Sequence, residues 1–360
     1  MRRTLVVLVL VAISLPVEAQ EAACDSTFNR DYVQQGPNRL DALDFSAPDD
    51  GWAVGFEYDS EEGGPEYPFV VHFDGQSWSE FPAPPRQRRG DVDLDEVSAL
   101  APDLVWVAAQ RWISQRSRVY IRVWDGTSWS NPQPPGLGAP QAGRGDGVFI
   151  TDIEALAADD AWAVGLIHRN EVNRGVGLHY DGTGWQKHEV DRYLEDIEAR
   201  ASGQLWGVGG RRVMRFDGTS WRRVRLPDYF STPRRVSFRA VHVVNDNEVW
   251  FLGRRERRRG NGWITLRRIG RGWEIHRLPP VEKLEGYTDI DGAGDDLWVV
   301  GEATVGEARS RTLGLRWDGT AWKTVPVEET VANLEGGVEV PAPGDAWALA
   351  FDVLLRACDQ

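Results

Sequence analysis

Apolar positions along this chain gather into short runs centred on tryptophan, separated by polar segments rich in glycine and proline. Seven such runs recur, around Trp52, Trp106, Trp162, Trp206, Trp250, Trp298 and Trp347, at intervals of 44 to 56 residues. Most carry a glycine three places on, as in Trp52-Ala53-Val54-Gly55 and Trp162-Ala163-Val164-Gly165. Between them lies a second module, an apolar run, an Asp-Gly pair and another tryptophan, as in Phe73-Asp74-Gly75-Gln76-Ser77-Trp78; it recurs at Trp129, Trp185, Trp221 and Trp322, and in degraded form at Gly272-Trp273. Asp-Gly between apolar runs predicts a β-hairpin, in the type I′ form that needs positive φ at both central residues. A strand such as Asp152-Ile153-Glu154-Ala155-Leu156, the tryptophan strand and the two arms of the hairpin make four strands per repeat. Four strands every roughly 40 to 50 residues is a propeller blade, so the pattern predicts an all-β chain, a seven-bladed β-propeller. Thirteen of the 17 tryptophans occupy the two repeat positions, where a large flat side chain fills the wedge between neighbouring blades. Packing is their expected role.

The Trp-Ala-Val-Gly strand, with His179-Tyr180-Asp181-Gly182-Thr183-Gly184-Trp185 at the hairpin, resembles the repeats of bacterial kelch-like propellers over nearly the whole chain after residue 19. The resemblance implies a ring architecture and no particular chemistry. The hairpin is also similar to the sialidase Asp-box, but its aspartate and glycine are adjacent and its span is one residue shorter.

The seventh unit, from Asn333 to Gln360, holds three strands and lacks an outermost one. The segment Phe28-Asn29-Arg30-Asp31-Tyr32-Val33 is the candidate fourth strand, so blade seven is expected to be completed by the N-terminal strand. Aligning Phe28 with the hairpin tryptophans places Cys24 at the turn aspartate, and aligning Leu355-Arg356-Ala357-Cys358 with Leu315-Arg316-Trp317-Asp318 places Cys358 there too. A Cys24 to Cys358 disulfide would then replace the missing hairpin turn. A crosslink enclosing so long a loop is worth at most roughly 5 to 6 kcal/mol in the loop-entropy model.

Arg2 and Arg3, an apolar run from Leu5 to Leu15, and Val17-Glu18-Ala19 predict a signal peptide over residues 1–19, leaving 20–360 as a single propeller domain of a secreted or periplasmic protein. That run is about half of what spans a bilayer, and no later stretch is long enough, so no transmembrane segment is expected. Lipid anchoring at Cys24 is a lesser alternative, because Glu21-Ala22-Ala23 lacks the large apolar residue of a lipobox. The formal charge is −14, and cleavage after Ala19 makes it one unit more negative, which disfavours nucleic acid as a partner. A monomer is the expected state.

No phosphate-cradling glycine loop, close His or Cys ligand pair, or nucleophile motif is present. His72 and His179 share one repeat position, where other blades carry Arg215, Arg267 and Arg316, and are expected at the surface. Counting back eight residues from each first-module tryptophan gives Asp44, Ser98, Glu154, Glu198, His242 and Glu339, with Asp291 joining after a one-residue deletion. Two places earlier, on the same strand face, come Glu96, Asp152, Asp196 and Asp289. The innermost strands surround the central channel, so these residues should form a partial ring of carboxylates at its mouth. Clustered carboxylates repel unless they pair, protonate or hold a cation. One reading is a site for a cationic ligand or for calcium, the sole candidate cofactor. The other, which is favoured, is that each acid accepts hydrogen bonds from the next blade.

The opposite charge concentrates between Gly210 and Arg271, with 17 arginines against five acids. Its densest stretch holds Arg254, Arg255, Arg257, Arg258 and Arg259, a candidate loop for an anionic glycan or acidic protein, although such runs are usually solvated faces. The resulting expectation is a nonenzymatic exported binding or scaffold module for a protein or polysaccharide ligand. The alternative is a glycan-active hydrolase or lyase using two channel-mouth carboxylates at roughly 5 to 10 Å.

Overall fold

The computed structural model describes residues 27–33, 38–59, 64–86, 90–113, 116–132, 147–169, 172–199, 204–227, 236–255, 262–305, 309–327, 337–350 and 353–359. They form seven four-stranded antiparallel sheets arranged as a β-propeller. Blade one comprises Asn38–Ala47, Asp50–Tyr58, Glu66–Phe73 and Trp78–Glu80, and five further blades repeat this order. Blade seven is built from Val338–Ala342, Asp345–Ala350 and Val353–Cys358, and its outer strand is Asn29–Val33, paired antiparallel with Val353–Cys358. The chain's own N-terminal strand therefore closes the ring.

The core lies between blades. Seven apolar clusters form, each across one blade interface: Trp52 and Val54 of blade one pack with Val97 and Val105 of blade two, and Trp298 and Val300 of blade six with Val338 and Val340 of blade seven. All seven first-module tryptophans are buried. Hairpin tryptophans meet them edge-on from the following blade, as in Trp185 on Trp106 at 5.9 Å, Trp221 on Trp162 at 5.9 Å and Trp78 on Trp347 at 5.5 Å between ring centroids. Phe28, fully buried, meets Trp298 in the same way at 5.2 Å. Burying one such ring removes about 200 Å² from water, on the order of 5 kcal/mol in transfer free energy.

The Asp-Gly turns depart from the type I′ expectation. Gly75, Gly126, Gly182, Gly218 and Gly319 have φ between 80° and 89°, but Lys283 is the only non-glycine residue with positive φ among those described. The loop is four residues long, because Phe73 pairs with Trp78. One aspartate oxygen accepts the N–H groups two and three residues on, as Asp74 Oδ1 does from Gln76 (3.0 Å) and Ser77 (2.9 Å). That local cap lets aspartate keep an ordinary φ while glycine alone turns left-handed. It also holds the Asp181 and Asp318 carboxyls well below their usual range, through hydrogen bonds from the threonine hydroxyl and from backbone N–H groups.

The glycine ending the Trp-Ala-Val-Gly strand has a separate cause. In blades one and three a Cβ at Gly55 or Gly165 would overlap the carbonyl oxygen of Arg39 or Phe149 on the innermost strand, and in blade four one at Gly209 would overlap that of Tyr193, just before that strand begins. In blades one and three the innermost strand bulges immediately afterwards, between Leu40 and Ala42 and between Ile150 and Asp152. Glycine admits the close approach, and the bulge turns one extra residue towards the axis.

Candidate functional site

Each residue obtained by counting back from a tryptophan pairs directly across from it on the neighbouring strand: Asp44 with Trp52, Glu154 with Trp162, Glu198 with Trp206, His242 with Trp250, Asp291 with Trp298 and Glu339 with Trp347. The one-residue deletion before Trp298 has a plain origin: blades one, two, three and five carry a second bulge near the end of the innermost strand, and blade six pairs there without one.

These strands enclose an axial cavity of about 1130 Å³. Asp44, Glu96, Asp152, Glu154, Asp196, Glu198, Asp289, Asp291 and Glu339 all line it, while His242 stands fully buried behind the wall. The structure adds a layer that alternation could not reveal. Asp41, Asp95, Thr151, Arg239 and Thr288 sit at the bulges of their strands and line the cavity, as does Glu195 at the equivalent place in blade four. A bulge breaks period two, so the only signal available in sequence was the glycine opposite it, which blade two lacks because Leu94 pairs there with Ala109.

Most of the carboxylates fasten one blade to the next. Asp44 accepts the Ala99 N–H (2.6 Å), Glu154 that of Ala199 (3.1 Å), Glu198 that of Val243 (2.9 Å) and Asp291 that of Val340 (2.7 Å). In the second layer Asp152 accepts from Ile197 (2.6 Å), Asp196 from Val241 (2.6 Å) and Asp289 from Val338 (2.9 Å). Blade two contributes neutral Ser98, whose Oγ accepts the Ala155 N–H at 3.0 Å. Glu96 and Glu339 differ, because among the described residues no group donates a hydrogen bond to either.

Electrostatics follow from the crowding. Burial pushes the Asp44 carboxyl up to about 7, although the Ala99 and Phe45 N–H groups act against it. Glu96, Asp152, Glu154, Asp196 and Glu339 lie well above the ordinary range, through desolvation first and neighbouring carboxylates second. After burial, the neighbouring Asp152 carboxylate contributes most to the rise at Asp196. At the edge of this field, between blades one and two, burial and Asp41 and Asp95 raise Asp93 to about 9. Burial would depress the His242 imidazole, but the Glu198 and Asp291 carboxylates raise it to about 10.

Two other expectations change. His72 and His179 are half-buried: their Nε2 atoms lie 2.7 Å from Asp50 and 2.8 Å from Asp160, and their rings pack on Trp52 and Trp162 at 4.3 and 4.4 Å. Arg267 over Trp250, Arg316 over Trp298 and Arg356 over Trp347 do the same with Glu248, Asp296 and Asp345. The position is a repeated clamp of acid, tryptophan and base. In the arginine stretch, Arg254 and Arg255 end a strand, Arg254 exposed and Arg255 buried, while Arg257, Arg258 and Arg259 lie outside the described residues. Arg255 is thus withdrawn from any anion-docking surface.

No protein-family model and no curated protein sequence matches this chain. Solved structures are similar in fold. A GH74 xyloglucanase from Xanthomonas campestris superposes with a TM-score of 0.58 at 12% identity, over 92% of this chain and 53% of that one. An acylaminoacyl peptidase from Pyrococcus horikoshii gives 0.54 at 11%, over 87% and 49%. A six-bladed fucose-recognising lectin from Aleuria aurantia gives 0.45 at 12%, over 83% and 98%. The chain spans about half the length of the first and second of these proteins, and the likeness to them is one of fold alone.

Proposed function

We propose that this chain is an exported, nonenzymatic binding module whose axial cavity receives a cationic group of a protein or polymer ligand. One observation carries the reading: in a wall where the other predicted acids fasten blades, Glu96 and Glu339 face the cavity with no hydrogen bond from the described residues. A primary amine or guanidinium entering there would let these carboxyls ionise, which desolvation and neighbouring charge otherwise oppose. The glycan-cleaving alternative needs sugar-stacking walls beside its acid pair, and the aromatic residues lining the cavity are Phe45 and Tyr193. Titration calorimetry at pH 7 with a lysine-rich peptide and with neutral xyloglucan oligosaccharides tests the choice. Saturable binding of the peptide, weakened at least tenfold in the Glu96→Gln/Glu339→Gln double variant, is expected. Sugar binding that this variant retains, with no response to the peptide, would overturn the proposal.

The proposal includes the disulfide. Cys24 lies outside the described residues; Cys358 ends the third strand of blade seven, and Asn29 pairs with Arg356, so the chain preceding Asn29 leaves beside Cys358. A non-reducing peptide map of the exported protein should yield a Cys24–Cys358 linked pair, and two alkylatable thiols would refute the bridge.

A further inference from the structure

We infer that Glu198, His242 and Asp291 form a binding site for a first-row divalent transition ion, built into the cavity wall where blades four, five and six meet. The three side chains offer ligand atoms that all lie within 4.8 Å of one another. His242 Nδ1 stands 2.8 Å from Asp291 Oδ1 and 3.4 Å from Glu198 Oε2. Ligand atoms at roughly 2.0 to 2.2 Å from an ion, at octahedral to tetrahedral angles, are separated by roughly 2.8 to 3.6 Å, so both edges fit without moving the ring. The remaining edge, between the two carboxylates, is no longer than 4.8 Å.

Burial of the imidazole is the independent observation. His242 has no exposed surface, and neither ring nitrogen makes a hydrogen bond of acceptable angle among the described residues. A polar ring completely withdrawn from water is costly unless something binds it, and Nδ1 faces the two carboxylates rather than a backbone acceptor. Both carboxylates are already held in place, Glu198 by the Val243 N–H and Asp291 by that of Val340. Such hydrogen bonds orient ligands in protein metal sites. Glu198 and Asp291 line the cavity, so an ion can enter through it and would keep an open position facing its interior.

A nitrogen ligand changes which ion fits. An all-carboxylate ring suits calcium, whereas one imidazole with two carboxylates suits Zn²⁺, Co²⁺ or Mn²⁺. The ligand set shares no residue with the Glu96 and Glu339 contacts proposed above, although the Asp291 and Glu198 charges reach Glu339, so either site can fail without the other while their affinities are coupled.

The test uses the full mature protein after EDTA treatment and desalting. Zn²⁺ should bind at one ion per chain by calorimetry, raise the melting temperature by several degrees and bind at least 100-fold more tightly than Ca²⁺. Zinc-edge X-ray absorption of the loaded wild type should show one imidazole among oxygen ligands. His242→Gln and Asp291→Asn, checked for folding by circular dichroism, should each weaken Zn²⁺ at least tenfold, and Asp74→Asn, at a hairpin turn of blade one, should leave it unchanged. An oxygen-only shell, equal affinity for Ca²⁺, no binding at one equivalent, or unchanged Zn²⁺ affinity in a folded His242→Gln protein would each overturn the site. The absorption measurement decides the matter even if the histidine variant does not fold.

Discussion

A chain that begins at Asn38 is expected to fail as a soluble monomer, although it keeps six complete blades. Removing Asn29–Val33 strips the strand paired with Val353–Cys358 and leaves an unpaired edge beside buried Leu354, Leu355 and Ala357. A flat apolar edge recruits other chains. The truncation also removes Phe28, whose ring sits on Trp298 and whose N–H donates to the Pro326 carbonyl at 3.0 Å, tying blade seven to blade six. Phe28→Ala in the intact chain should cost about 3 to 5 kcal/mol, the usual range for a buried phenylalanine. Urea denaturation gives that number, and size-exclusion chromatography reports the fate of the truncated chain. A truncated chain eluting as a folded monomer with undiminished stability would show that the strand decorates the ring without closing it.

Melting temperature should fall as pH rises from about 5 to about 9, opposite to the behaviour expected of a protein held by ionised carboxylates. Burial holds the Asp95 carboxyl near 7, with Asp41 and Glu66 adding to the rise and the Gln110 N–H and Arg39 opposing it. Asp93 is near 9, where burial, Asp41, Asp95 and Glu66 act together, and Asp44 near 7. In the unfolded chain these groups titrate near 3.9. Between the two values the folded state binds more protons than the unfolded state, so stability declines with pH through that window. Each pKa unit is worth about 1.4 kcal/mol before screening; cavity water and coupling reduce the total to a few kcal/mol, on the order of 5 °C. Below pH 4 the sign reverses, because the turn aspartates Asp181, Asp217 and Asp318 titrate below their unfolded values and lose stabilising hydrogen bonds on protonation. A maximum near pH 4 follows. Calorimetric scans from pH 3 to 9 measure it, and Asp93→Asn should flatten the decline above pH 7. A melting temperature flat or rising between pH 5 and 8.5 would contradict the burial assigned to these carboxyls.

The architecture was legible because it rests on local, repeated signals. Each tryptophan strand and each Asp-Gly hairpin is specified within about ten residues, and seven copies of the first against six of the second disclosed the missing strand. The alignment of Phe28 with the hairpin tryptophans proved sound in space, since Phe28 takes the place on Trp298 that Trp185 takes on Trp106. Counting residues back from the tryptophans also located the cavity wall, because antiparallel pairing converts sequence offset into direct opposition.

Only the closed ring decided what those acids do. Hydrogen bonds such as Asp44 to Ala99 and Asp289 to Val338 join residues 55 and 49 positions apart, and their donors are backbone groups that carry no side-chain signature. The bulges that bring Asp41 and Asp95 into the cavity interrupt the alternation from which facing is read. The left-handed glycine beside an ordinary aspartate depends on loop closure. Whether Glu96 and Glu339 are free, and whether His242 meets Glu198 and Asp291 across three blades, depends on how seven separately specified sheets share one axis. Periodicity along a chain encodes which side of a strand a residue occupies; what stands opposite it across the ring is set by packing.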